Sequence, residues 1–139
     1  MASFIYNSAA FDEANGDIDY GADTFYGMLL TDAYTPDRQN HTRRSDISAE
    51  EAIGAGYTLG GNQITVTVAQ DNPANQTIMT FGAVSWSAAT LAARYEAIYK
   101  ASGAGETNDP LVALIDFGAT QSTSGQTFPV AASTITKQT

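Results

Sequence analysis

Residues 63–70, Gln-Ile-Thr-Val-Thr-Val-Ala-Gln, alternate strictly, with Ile64, Val66 and Val68 on one side and threonines on the other. A period of two in β-branched residues marks a strand with one face buried; in a helix Val66 would point away from Ile64 and Val68. Residues 71–75 (DNPAN) follow as a turn, and 76–82 (QTIMTFG) supply a partner strand. The segment 63–82 therefore predicts a β-hairpin.

The same spacing of short apolar runs and turns extends through the chain. Residues 3–6 open with a strand candidate, and Asn7 or Ser8 caps a brief helix through Phe11 and Ala14 that Asn15-Gly16 ends. Residues 23–31 (DTFYGMLLT) predict a strand, with Gly27 at a bulge or a close approach. After the polar loop 34–47, Ser48 and Glu51 stand at capping-box spacing and predict one helical turn over 49–53. Residues 91–99 (LAARYEAIY) fit both periods: Leu91, Tyr95 and Ile98 share a helical face, while Leu91, Ala93, Tyr95, Ala97 and Tyr99 share a strand face. With strands expected on both sides, the segment is assigned to a strand. The apolar run 110–117 (PLVALIDF) has the length of a buried strand, a polar turn is expected over 120–126, and a last strand over 128–135. Short strands and no long helix predict an all-β fold: a jelly-roll-like β-sandwich with one or two short helical turns. A length of 139 residues suits a single domain over 1–139, with 1–20 a candidate N-terminal arm that orders on docking.

Charge narrows the function classes. Fifteen acids against six bases give a net charge of −9, which argues against nucleic acid and anionic membranes as partners. Ten of the acids precede Ala52, and between Thr58 and Ala93 the one formal charge is Asp71. That stretch reads as buried strands, an interface, or both. Only 15% of residues are charged, so the surface sheds its water at little cost when a partner arrives. No cysteine is present, which removes disulfides, thiolate zinc sites and cysteine nucleophiles. Residues 1–17 carry neither the basic nor the apolar region of a signal peptide, and no apolar run approaches membrane-spanning length, so neither is expected.

Catalytic constellations are not found. His41, the one histidine, lies in the arginine-flanked loop with no carboxylate at a fixed spacing to orient it. The glycines at 54, 56, 60 and 61 lack the Lys-Ser/Thr of a phosphate loop and the strand–helix context of a dinucleotide site. Asp17, Asp19 and Asp23 are a calcium candidate, since alternate aspartates supply hard oxygen ligands; against it, Met28 stands where a loop of that kind needs glutamate. Arg94 and Glu96, two apart on a strand, read as an ion pair. No enzyme activity and no cofactor are expected.

Residues 4–7 (FIYN), 15–19 (NGDID), 56–61 (GYTLGG), 84–87 (VSWS), 90–100 (TLAARYEAIYK) and 110–118 (PLVALIDFG) together resemble, in that order, a group of small virion structural proteins of tailed bacteriophages and prophages. The resemblance covers nearly the whole chain and rests on packing and turn motifs. It departs at Tyr95-Glu96, where small residues are expected, and in a longer, more charged loop at 35–51. It implies a virion component assembled in the bacterial cytoplasm: a capsid cement or decoration protein bridging capsid subunits, with the major capsid protein and copies of itself, as dimer or trimer, for partners. A head-to-tail connector, tail or fibre-anchoring subunit is the alternative, and a carbohydrate-binding module presenting Trp86 is a third. Aromatics and arginines dominate interface energies, so Trp86, Tyr95, Tyr99 and, in the 34–44 loop, Tyr34, Arg38, Arg43 and Arg44 are the expected interface anchors.

Overall fold

The computed structural model describes residues 3–138. It is an all-β fold of two antiparallel sheets with a few short helical turns, as the strand rhythm implies. The large sheet contains β1 (Phe4–Ile5), β2 (Phe25–Leu30), β3 (Asn62–Ile64), β6 (Val84–Lys100) and β7 (Leu111–Val130), in the order β1-β7-β6-β2-β3. The small sheet is β4 (Val66–Asp71), β5 (Gln76–Phe81) and β8 (Ser133–Gln138), in the order β4-β5-β8. An α-helix, α1 (Asn7–Ala14), follows β1.

The alternating segment 63–70 is strand throughout except at Thr65, where the chain passes from the large sheet to the small one. Thr65 and Gly82 form the corner, the Gly82 N–H donating to the Thr65 carbonyl at 2.8 Å. A Cβ on Gly82 would collide with the Thr65 side chain, so the close approach requires glycine. The corner divides the expected single face. Ile64 is buried under the large sheet, whereas Val68, four residues on, is 47% exposed.

Residues 91–99 are strand, inside β6. Their helical propensity is overridden because β2 and β7 offer backbone partners on both sides: Tyr95 lies opposite Leu30 and Asp116, and Tyr99 opposite Tyr26 and Leu111. The turn expected at 120–126 does not form. β7 continues through it and absorbs the surplus residues as irregularities: Asp116 to Gln121 spans five positions against two from Tyr95 to Ala93 on β6. Gly118 and Gly125, with φ of +85° and +68°, supply the backbone conformations. The expected strand 128–135 is correspondingly divided, its first part ending β7 and its last part beginning β8.

Two capping expectations are also corrected. α1 begins after Tyr6, with no side-chain cap, because the Tyr6 N–H is already held by the Val112 carbonyl at 3.0 Å, and the helix starts where that pairing stops. Glu51 does not close a box with Ser48; it accepts from the Tyr57 hydroxyl at 2.6 Å and the Gly60 N–H at 2.7 Å. Asp46 performs the local capping instead, accepting from the N–H groups of Thr42 and Arg43. The described residues of the candidate arm pack against the body of the fold. Phe4 and Ile5 pair with Leu114 and Ala113, and Ile5, Tyr6, Ala9 and Ile18 are buried.

Three apolar clusters hold the layers. Phe25, Ile64, Ile98 and Ala113 of the large sheet meet Met79 and Phe81 of the small sheet. Met28, Leu30, Tyr95, Ala97 and Tyr99 pack with Tyr6, Tyr34 and Ile47. Trp86, Leu91, Ala93, Phe128 and Val130 form the third, with Leu29 and Ala52. Complete burial of such side chains contributes about 1.5–3 kcal/mol each.

Candidate interaction surface

Of the seven expected anchors, the four aromatics are buried and the three arginines are engaged with partners in their own chain. Trp86 is 2% exposed, between Tyr57 and Phe128, with ring centroids at 5.3 and 6.5 Å. It presents no face to a sugar or to a neighbouring subunit. Tyr34, Tyr95 and Tyr99 are equally buried, Tyr34 standing edge-on to Tyr95 at 5.7 Å. The Tyr34 hydroxyl shares hydrogen bonds with that of Tyr6 at 2.9 Å and with His41 Nδ1 at 2.8 Å, and burial pushes both phenols above their ordinary pKa.

The arginines tie the 34–47 loop down as a strap. Arg38 Nε donates to the Ile5 carbonyl at 2.9 Å, with its guanidinium 5.8 Å from the Phe4 ring centroid. Arg43 pairs with the buried Asp12 of α1 at 3.1 Å. Arg44 pairs with the buried Asp109 at 2.8 Å and covers the Tyr99 ring at 4.9 Å. Burial disfavours the charge on Asp109, but hydrogen bonds from the Ser102 hydroxyl and N–H and from Arg44 outweigh it and hold the carboxyl below the usual range. Sequence proximity brought these arginines together; the folded chain sends each to a different partner.

The acidic turn is also internally engaged. Asp19 accepts from the Gly21 N–H at 2.9 Å, Asp23 accepts from the Asp19 N–H at 2.8 Å, and Lys100 pairs with Asp23 at 3.1 Å. Asp17 accepts from the Asn15 amide. Among the described residues no group of three or more His, Asp or Glu side chains is placed to hold a metal ion.

The expected Arg94–Glu96 pair is not formed among the described residues. Arg94 pairs with Asp116 at 3.4 Å and stacks beside Tyr95. Glu96 is 1% exposed against Gly27, where any Cβ would collide with its carboxyl, and Oε2 has no hydrogen-bond partner among the described residues. Burial pushes its pKa up to about 8, so it is mostly a neutral acid at pH 7. Sequence reading identified Gly27 as a close approach but not the carboxyl it admits.

The surface not engaged internally lies elsewhere. Residues 118–127 of β7 (GATQSTSGQT) are almost wholly exposed and carry no charge. The outer face of the small sheet carries Thr67, Thr80 and Thr134 abreast. On its inner side, Ile18, Tyr20, Val68 and Met79 line an open cleft of about 790 Å³. Glu13 and Lys137 close one rim with an ion pair at 2.7 Å. The sparse charge of residues 58–93, with Asp71 alone, was the sequence signal for β4 and β5; residues 118–127 lie outside it. Among the described residues no helix is long and apolar enough to cross a membrane. Comparison with protein-family models, curated proteins and solved structures finds no match for this chain.

Proposed function

We propose that the chain is a structural subunit that acts by being built into a larger particle, and specifically a cement protein bridging subunits of a bacteriophage capsid. The observation that carries this reading is the exposed β surface of residues 118–127, which carries no charge, and of the small sheet, whose charged residues are Asp71 and Lys137, on a chain whose net charge is −9. Such a surface docks with little desolvation cost, because hydroxyls and amides re-form hydrogen bonds across a contact more cheaply than ions give up water. The resemblance of the six short segments to tailed-phage virion proteins supplies the particle. Binding across subunit boundaries stabilises a shell by mass action, and many copies multiply a weak contact. Because the aromatic anchors are buried and the arginines are engaged within their own chain, the docking energy comes from main-chain and hydroxyl contacts, with Phe11, Ile53, Leu59 and Val68 as the exposed large apolar side chains.

Quantitative mass spectrometry of purified particles, scaled to the major capsid protein, tests the reading. The expected result is a simple ratio to that protein, on the order of hundreds of copies per particle. A few dozen or fewer assigns the chain to a connector or tail and overturns the cement role. Absence from the particle overturns the whole reading.

A further inference from the structure

β4 is the terminal strand of the small sheet and pairs on one side only, with β5. Its residues 67–70 are exposed. Proteins normally blunt such an edge with lysine, proline, a bulge or a covering segment, because its outward N–H and C=O groups template another strand. β4 reads Val-Thr-Val-Ala-Gln-Asp, pairs with β5 in continuous register and has one charge, Asp71, at its end. The opposite edge differs: β8 carries Lys137, engaged with Glu13 of α1. In an acidic chain, an edge with a single charge at its end is also where two copies approach against little repulsion.

We propose that β4 is a self-association edge, at which two copies pair antiparallel about a two-fold axis at Val68 to form one continuous six-stranded sheet. An axis through Val68, perpendicular to the sheet, sets Val68 opposite the second copy's Val68. Thr67 then meets Ala69, Val66 meets Gln70, and Thr65 meets Asp71. Inner faces stay with inner faces, and no acid meets an acid. The register also accounts for Val68. It lies in the row of Met79, which is buried, and Ile135, which packs against the core, yet remains 47% exposed at the mouth of the cleft. The second copy's Val68 covers it. The contact is isologous and closed, so it yields dimers and not fibres. It rests on the assembling-subunit reading for its purpose, but the edge and its register stand independently of which particle is built.

The chain lacks cysteine, so single cysteines report the register directly. Directly opposed Cβ atoms in an antiparallel pair lie about 4.5–5.5 Å apart, near the span of a disulfide. In the full-length protein under mild oxidation, Val68→Cys is expected to give a covalent dimer, and Thr67→Cys and Ala69→Cys separately are not. Sedimentation of the parent protein is expected to show a concentration-dependent dimer. Val68→Lys is expected to weaken it by at least about tenfold with an unchanged circular dichroism spectrum. A parent that stays monomeric at its solubility limit overturns the proposal. So do equal cross-linking at 67, 68 and 69, species beyond the dimer, or a folded Val68→Lys protein that dimerises as the parent does. If Val68→Lys unfolds, the cysteine pattern decides alone. A monomer present at high copy number in particles would refute the β4 contact and leave the assembly reading standing; a dimer absent from particles would do the reverse.

Discussion

The strap side of the large sheet and the β4 edge of the small sheet use opposite chemistry. Under the strap, every arginine meets a carboxylate, a carbonyl or a ring, and the buried Tyr6 and Tyr34 hydroxyls share a hydrogen bond. At the β4 edge there is one charge, no aromatic side chain, and main-chain groups open to a neighbour. The side chains that dominate many interfaces here consolidate a monomer. The difference teaches that residue type alone does not locate an interface: arginines and tyrosines with partners inside their own chain have little left to offer a second one.

Trp86→Ala should separate the two regions most sharply. Emptying its site among Tyr57, Leu91 and Phe128 is expected to cost about 3–5 kcal/mol of folding stability in urea denaturation. A variant that keeps full stability and loses only assembly would restore Trp86 as an interface anchor and break the comparison.

Glu96 gives the next largest effect, through pH. Its folded pKa of about 8 lies above the ordinary carboxyl value of 4.5, so the folded state holds the proton more tightly than the unfolded chain does. Its contribution is therefore complete below about pH 4.5, falls by up to about 1.4 kcal/mol per unit as pH rises, and levels off above about pH 8. Thermal melts from pH 5 to 9 should show this decline, and Glu96→Gln should flatten it. A slope unaltered by the substitution would place the titration elsewhere.

Arg44→Ala leaves buried Asp109 without its cation and is expected to cost roughly 2 kcal/mol, read by the same denaturation. The smallest effect belongs to the edge. Val68→Thr should change stability by less than about 0.5 kcal/mol, because the side chain is half exposed at the end of a sheet. A loss as large as that at Arg44 would mean that β4 supports the monomer as strongly as the strap does, and the contrast would fail.

Much of the fold was legible, and the reasons are local. Residues 66–71 and 76–81 pair as the alternation and the turn between them imply. The strand at 91–99 was legible only by its neighbours, since its own residues favour a helix at least as well. The corner at Thr65 left no period of its own, because alternation continues through a change of sheet. The polar stretch 118–127 resembles a turn because exposed strand residues and turn residues share a composition; the pairing partner, β6, makes it a strand. The candidate surface was half legible: the uncharged stretch was visible, the free edge within it was not.

By itself, the sequence determined the β class, the hairpin over 66–81 and the acid-rich, arginine-bearing first half, because residue period and charge are properties of adjacent residues. Tertiary structure decided the uses of those parts: the destination of each arginine, the interior placing of Trp86 and three tyrosines, the neutral acid at Gly27, and the exposure of Val68. Burial and pairing depend on segments tens of residues away, as with Arg44 and Asp109, so no local pattern encodes them.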